Sequence, residues 1–208
     1  MTYNQKTLWE NLASENSRYY INSNKGKYIT EAEFRKSGKQ DFTTYIFDDP
    51  LIRRGTIVEI GCGTGRMTEF MTWMFDMTYG IDISKEMIDQ GKFRLELCKN
   101  FKLIETDGNT IPLPDAIADT VFSYIVFQHF KTYEMVESNF KEVSRILKRD
   151  GIFKVLLRSD TLESLDPWWA GVTCSDEYIE TLCTKVGLKL IKLEHVKEYA
   201  VWAWITKI

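Results

Sequence analysis

Residues 56–60, Thr-Ile-Val-Glu-Ile, run directly into Gly61-Cys62-Gly63-Thr64-Gly65. A short β-branched run bounded by glycines reads as a buried strand. Three glycines in the next five residues permit a tight turn and a close approach to the backbone. Beyond the turn, Met67, Phe70, Met71 and Met74 recur at helical spacing. Strand, glycine turn and helix in immediate succession are the opening of a βαβ unit.

The alternation repeats along the chain. Residues 77–82 read as a second strand ending at Asp82, and Ile88, Gly91, Leu95 and Cys98 share a face of a second helix. Residues 101–106 read as a third strand. Residues 119–127 read as a fourth, apolar enough to be buried on both faces. Tyr133, Val136, Phe140, Val143 and Leu147 mark another helix, and residues 152–157 a fifth strand after Asp150-Gly151. A loop (159–174) leads to a helix with Tyr178, Leu182 and Val186 on one face. Residues 188–196 and 199–207 close the chain as two strands. Their connection is too short for a parallel crossover, so they form an antiparallel hairpin. The pattern predicts an α/β fold: a doubly wound, mostly parallel, Rossmann-like sheet of seven strands with helices on both faces.

The first 54 residues have a different texture, polar and aromatic. Thr30-Glu31-Ala32-Glu33 matches a capping box that opens a helix toward Phe47, and Asp49-Pro50 ends it. We read residues 1–54 as an N-terminal helical cap within the same domain as residues 55–208.

A length of 208 residues suits one domain with its own core. Lys and Arg total 27 and Asp and Glu 30, giving a net charge of −3, which argues against a protein that coats nucleic acid. There is no bilayer-length apolar run and no secretory h-region. The four cysteines, Cys62, Cys98, Cys174 and Cys183, form no C-x-x-C pair, and the two histidines lie away from any cysteine cluster. We expect no metal site, reduced thiols and a cytoplasmic location.

Asp82 follows Gly61 by 21 residues and ends the second strand. A carboxylate at such a strand end accepts hydrogen bonds from ribose hydroxyls. Glycine loop and acid together suggest a ligand containing a nucleoside. Asp82 also fits as a cap for the helix that begins near Ser84. The loop reads G-x-G-x-G, with Arg66 where the dinucleotide fingerprint would place its third glycine. That departure disfavours a nicotinamide oxidoreductase.

Val58 to Gly65, VEIGCGTG, resembles motif I of the class I S-adenosylmethionine-dependent methyltransferases. The resemblance continues through YGIDISKEMI (79–88), residues 105–130 and RILKRDGIFKV (145–155), in the expected order. It implies S-adenosylmethionine as cofactor. Gly61, Cys62, Gly63 and Gly65 would approach its methionine part, and Glu59 would help order the loop. Asp82 would hold the ribose and Ile83 would pack on the adenine. Asp107 would accept from the adenine amino group, with Gly108 and Asn109 offering backbone contacts. Tyr124 and Gln128, with Ser123, lie where the fourth strand delivers contacts to the methionine end and the acceptor. Asp107-Gly108 also fits an ordinary turn.

The resemblance implies methyl transfer by in-line displacement to an oxygen or nitrogen of a small molecule. His129 is the candidate base, with a structural role as the competing reading; His195 reads as structural. Tyr19, Tyr20, Trp168 and Trp169 would wall the acceptor or simply cover core. Arg158 and Arg18 would grip an anionic acceptor or lie in solvent. A cofactor-binding protein without turnover and an RNA or protein methyltransferase are the competing functions. No membrane partner is expected, and the chain is read as a monomer or homodimer.

Overall fold

The computed structural model describes residues 4–22, 26–159, 171–196 and 199–208. It contains one seven-stranded sheet. The chain divides into two compact units, Met1–Asp107 and Gly108–Ile208.

The first unit begins with helix α1 (Gln5–Ile21), which is broken at Asn16, where the backbone turns extended. Helix α2 (Glu31–Phe42) starts at the expected capping box: the Glu33 N–H donates to Thr30 Oγ1, and the Thr30 N–H donates to Glu33 Oε2. It widens into a π turn over Thr43–Phe47 and stops before Asp49-Pro50. Phe34, Phe42 and Ile46 are its buried apolar side chains. Strands β1 (Thr56–Ile60), β2 (Met77–Asp82) and β3 (Phe101–Glu105) pair in parallel in the order β3-β2-β1. Helix α3 (Thr68–Met71) is shorter than its apolar spacing suggests, and Met74 lies in the irregular turn that follows. Helix α4 (Lys85–Arg94) lays Ile88 and Leu95 on Cys62 and Leu103. Gly91 permits that approach: a Cβ there would stand 2.6 Å from Leu103 Cδ1 and 3.2 Å from the Thr64 carbonyl carbon.

The second unit holds strands β4 (Ala118–Ser123), β5 (Leu147–Arg158), β6 (Leu188–Val196) and β7 (Ala200–Lys207) in the order β4-β5-β7-β6. β4 and β5 are parallel; β7 runs antiparallel to both β5 and β6, which is the expected terminal hairpin. Helix α5 (Tyr133–Ile146) buries Val136, Phe140 and Val143 as its spacing predicts. Phe127, Phe130, Phe140 and Phe153 interlock beneath it, with ring centroids 4.6–6.1 Å apart. Helix α6 (Asp176–Lys185) buries Ile179, Leu182 and Cys183, a face rotated from the expected one; Tyr178 and Val186 are half-buried at its margin.

Two strand limits differ from expectation by more than one residue. β4 stops at Ser123 instead of Phe127, because Ile125 takes a left-handed φ of 58° and residues 127–129 form a 3₁₀ turn. β5 starts at Leu147 instead of 152. Asp150, at φ 61°, makes the expected turn, but as a kink inside the strand where the register against β4 shifts. β6 is the outermost strand, and Lys189, Ile191, Lys192, Glu194 and His195 along it are exposed.

Candidate functional site

The glycine loop is held from several directions within the first unit. The N–H groups of Gly61 and Cys62 both donate to the Ile81 carbonyl, at 2.8 and 3.1 Å. The Gly63 N–H donates to Asp82 Oδ2 at 2.8 Å, and the Ser84 N–H donates to Asp82 Oδ1 at 2.9 Å. Gly61, Gly63 and Gly65 all have positive φ, which explains why the turn is built from glycine. Asp82 therefore orders the loop and holds the N–H of Ser84, the residue that caps the following helix. Asp82 is half-buried, and an ionised carboxylate has about four acceptor positions, more than its backbone N–H donors fill. Burial pushes its proton affinity up, the N–H groups of Ser84, Gly63 and Ile83 oppose this, and the nearby Glu10 charge adds to the rise. An ordered carboxylate at the carboxyl end of β2 fits ribose hydroxyls.

Glu59 is only 6% exposed and accepts from Thr68 Oγ1 at 2.5 Å. Burial raises its pKa to about 7, against the Thr68 bond and the Arg66 charge. The Glu59 carboxyl is thus tied to helix α3, which orders the far side of the loop. The Cys62 thiol lies in the Ile88–Leu95–Leu103 cluster, so its side chain is core, and burial pushes its pKa well up.

Three residues outside the expected set complete this half. Arg94 donates from Nη1 to the Gly65 carbonyl at 2.9 Å, from Nη2 to Glu69 at 2.6 Å and from Nε to Glu31 at 2.8 Å. Arg66 pairs with Asp41 at 2.6 Å and reaches Ser37 Oγ at 3.3 Å, joining the loop to α2. Glu10, on α1, accepts from Ser84 Oγ and from the N–H groups of Lys85 and Glu86. Only Arg66 left a trace in the sequence, as the residue that breaks the dinucleotide pattern.

The other candidates of the first unit are Ile83, Asp107, Tyr19 and Tyr20. Ile83 is half-buried directly after Asp82, and Asp107 is exposed two residues past β3. Tyr19 and Tyr20 meet edge to face at 4.9 Å, and Tyr20 donates to Glu15. Arg18 is spent on Glu31 and the Ile29 carbonyl.

In the second unit, the Gly108 carbonyl accepts from Asn139 Nδ2 at 2.8 Å, and Asn109 Oδ1 accepts from Ser138 Oγ at 3.2 Å. Both are thereby fixed to α5. Tyr124 stacks on Trp202 at 5.6 Å with the ring planes 9° apart. His129 is 6% exposed, with its Nε2 3.4 Å from Gln128 Nε2. Arg158 is also 6% exposed and donates to the Gly171 carbonyl at 3.0 Å, so it is a buried group and not a solvated charge. His195 is exposed and lies 3.1 Å from Asp176. Trp168 and Trp169 lie outside the described residues. Among the described residues no cluster of His, Cys, Asp and Glu could hold a metal ion.

A parallel sheet that carries a glycine loop after β1 and an ordered acid at the end of β2 defines a nucleoside-binding α/β protein. Residues 58–155 match the methyltransferase domain family. That stretch is similar to a methyltransferase domain. A demethylmenaquinone methyltransferase of Staphylococcus aureus is 29% identical over 111 residues, a stretch that covers 51% of this chain and 45% of that protein. The match thus spans less than half the length of such relatives. Among solved structures, the N-methyltransferase NodS of Bradyrhizobium japonicum, in complex with S-adenosyl-L-homocysteine, aligns with a TM-score of 0.71 at 14% identity over 99% of both chains. A methyltransferase from Aquifex aeolicus described as SAM-dependent aligns at 0.65 and 16% identity, over 87% of this chain and all of that one. These likenesses establish the fold.

Proposed function

We propose that this chain transfers a methyl group from S-adenosylmethionine to an oxygen or nitrogen of a small molecule, with residues 1–54 as a cap on the domain formed by residues 55–208. The observation that carries the reading is the knot at the end of β2. There one carboxylate, Asp82, orders both the glycine loop through Gly63 and the start of α4 through Ser84. The knot lies inside the stretch that matches the methyltransferase domain family.

Gly61, Gly63 and Gly65 would hold the methionine part, Asp82 the ribose, and Ile83 and Asp107 the adenine. Bound, the cofactor supplies a methyl group on a positively charged sulfur that departs as a neutral thioether. The protein's task is then to align the acceptor and exclude water. His129 would take the proton that an O–H or N–H acceptor gives up as its lone pair forms the bond to carbon. Tyr124, Gln128 and the buried Arg158 share its unit and would shape the acceptor site, with Tyr19, Tyr20, Trp168 and Trp169 as further candidates. A nitrogen acceptor gains support from the neighbour named as an N-methyltransferase, and a small-molecule acceptor from the relative named for demethylmenaquinone.

Calorimetry with S-adenosylmethionine and S-adenosylhomocysteine, and NAD as control, tests the cofactor. Saturable binding of the first two only is expected. Asp82→Ala should weaken that binding by about 1–3 kcal/mol, the scale of lost hydrogen bonds to a charged group. His129→Ala should lower turnover and leave cofactor affinity in place. A well-folded protein that binds neither sulfur compound would end this reading.

A further inference from the structure

Ala13 is the one fully buried residue of helix α1, Leu8, Trp9, Leu12 and Ile21 are half-buried, and the break at Asn16 leaves a segment of 5–15 that is short for a stable isolated helix. Its contact with α4 includes a set of polar bonds. Ser17 Oγ donates to Gln90 Oε1 at 2.6 Å, and Gln90 Nε2 reaches the Ala13 carbonyl at 3.4 Å. Lys6 pairs with Glu105 at the end of β3 at 2.5 Å. The centre of this contact is Glu10. Its Oε2 accepts from Ser84 Oγ at 2.9 Å and from the Glu86 N–H at 3.0 Å, and its Oε1 accepts from the Lys85 N–H at 2.8 Å.

These are the N–H groups that the first turn of α4 leaves without helical partners. Two carboxylates share the task of satisfying that turn. Asp82 takes the Ser84 N–H, Glu10 takes the next two, and Ser84 Oγ accepts from the Met87 N–H. A negative charge at a helix N-terminus is also favoured by the helix dipole. Glu10 therefore fixes the Ser84 hydroxyl, and through Ser84 it meets the acid that would hold the ribose. Lys6 makes the equivalent link on the other strand. Its ammonium is bonded to Glu105 and senses the charges of Glu10 and Asp107.

We propose that Glu10 is a positioning residue for the cofactor: by capping α4 from α1 it couples docking of α1 to the order of the nucleoside subsite at Asp82. The proposal rests on the assignment of that subsite above. Linkage makes the coupling reciprocal, so cofactor binding must tighten α1 by the factor by which docked α1 tightens the cofactor.

The test uses the full chain with S-adenosylhomocysteine as probe. Glu10→Ala should raise its dissociation constant about tenfold, equal to about 1.4 kcal/mol. It should raise KM for S-adenosylmethionine more than it lowers kcat. Glu10→Gln, which retains an accepting oxygen, should recover part of the loss. Hydrogen exchange of residues 5–15 should slow on ligand addition in the parent protein and respond less in Glu10→Ala. Lys6→Ala, which leaves the α4 cap in place, should weaken binding less than Glu10→Ala and serves if the latter fails to fold. Wild-type affinity in Glu10→Ala, beside weakened binding in Asp82→Ala, would overturn the coupling and leave Glu10 a stabilising cap. Wild-type affinity in Asp82→Ala would overturn the subsite itself, and the proposal with it.

Discussion

Glu59 carries an unusual burden for a carboxyl group. It is buried beside β1, and its pKa of about 7 lies above the ordinary carboxylate range because desolvation outweighs the Thr68 bond and the Arg66 charge. A folded pKa raised above the unfolded one means that the native state binds the proton more tightly. Stability from this group is therefore full at pH below about 4.5 and is lost as pH rises toward 7. Glu59→Gln, which keeps an oxygen for Thr68 Oγ1, should remove that slope. Its thermal midpoint relative to the parent should climb between pH 5 and 8, and a flat difference across that window would place the ionised carboxylate in the fold already. The glycine loop, the acid at 82 and the capping box at Thr30 were legible because each is a local pattern with a local cause. Glu10 was not, since its partners lie 75 positions away and nothing near it in sequence distinguishes it from any solvated glutamate. Ile125 misled for the opposite reason. A β-branched residue favours a strand, yet here it takes a left-handed conformation and ends one.

At the scale of elements, α4 shows how a helix is brought close to a sheet. Its N-terminus is capped by Ser84 and Glu10, its middle presents Gly91 to Leu103 and Thr64, and its last turn places Arg94 on the Gly65 carbonyl. Gly91→Ala raises helix propensity but drives a methyl group into contacts of 2.6–3.3 Å, two of them with backbone. Overpacking of that kind costs about 1–3 kcal/mol. We expect a lower denaturant midpoint with an unchanged slope, because the surface exposed on unfolding is hardly altered. A midpoint equal to the parent's would mean that Leu103 yields without cost. The parallel pairing of the early strands and the terminal hairpin follow from alternation and connection length, which sequence displays. The start of β5 does not. Leu147 continues the apolar spacing of α5 and accordingly read as helix, while its backbone already pairs with Ala118.

For the whole molecule, any ligand that binds only the native state raises its stability by mass action. S-adenosylhomocysteine at about a hundred times its dissociation constant should add roughly 2.7 kcal/mol, read as a concentration-dependent rise in thermal midpoint. Asp82→Ala at the same ligand concentration should show a smaller rise. No described helix is long and apolar enough to cross a membrane. The net charge of −3 on 208 residues gives only weak general repulsion between copies, so the sheet's rim matters more. β6 ends the sheet with a nine-residue row of backbone whose outer groups have no neighbouring strand among the described residues. Such a rim is a template on which a second chain can add. Here it carries two lysines, a glutamate and a histidine pointing to water, and its register against β7 shifts between Leu190 and Lys192. A strand arriving from another molecule would meet charge and an uneven ladder. The same residues that say nothing about catalysis thereby oppose fibrous stacking at the concentrations a cell imposes.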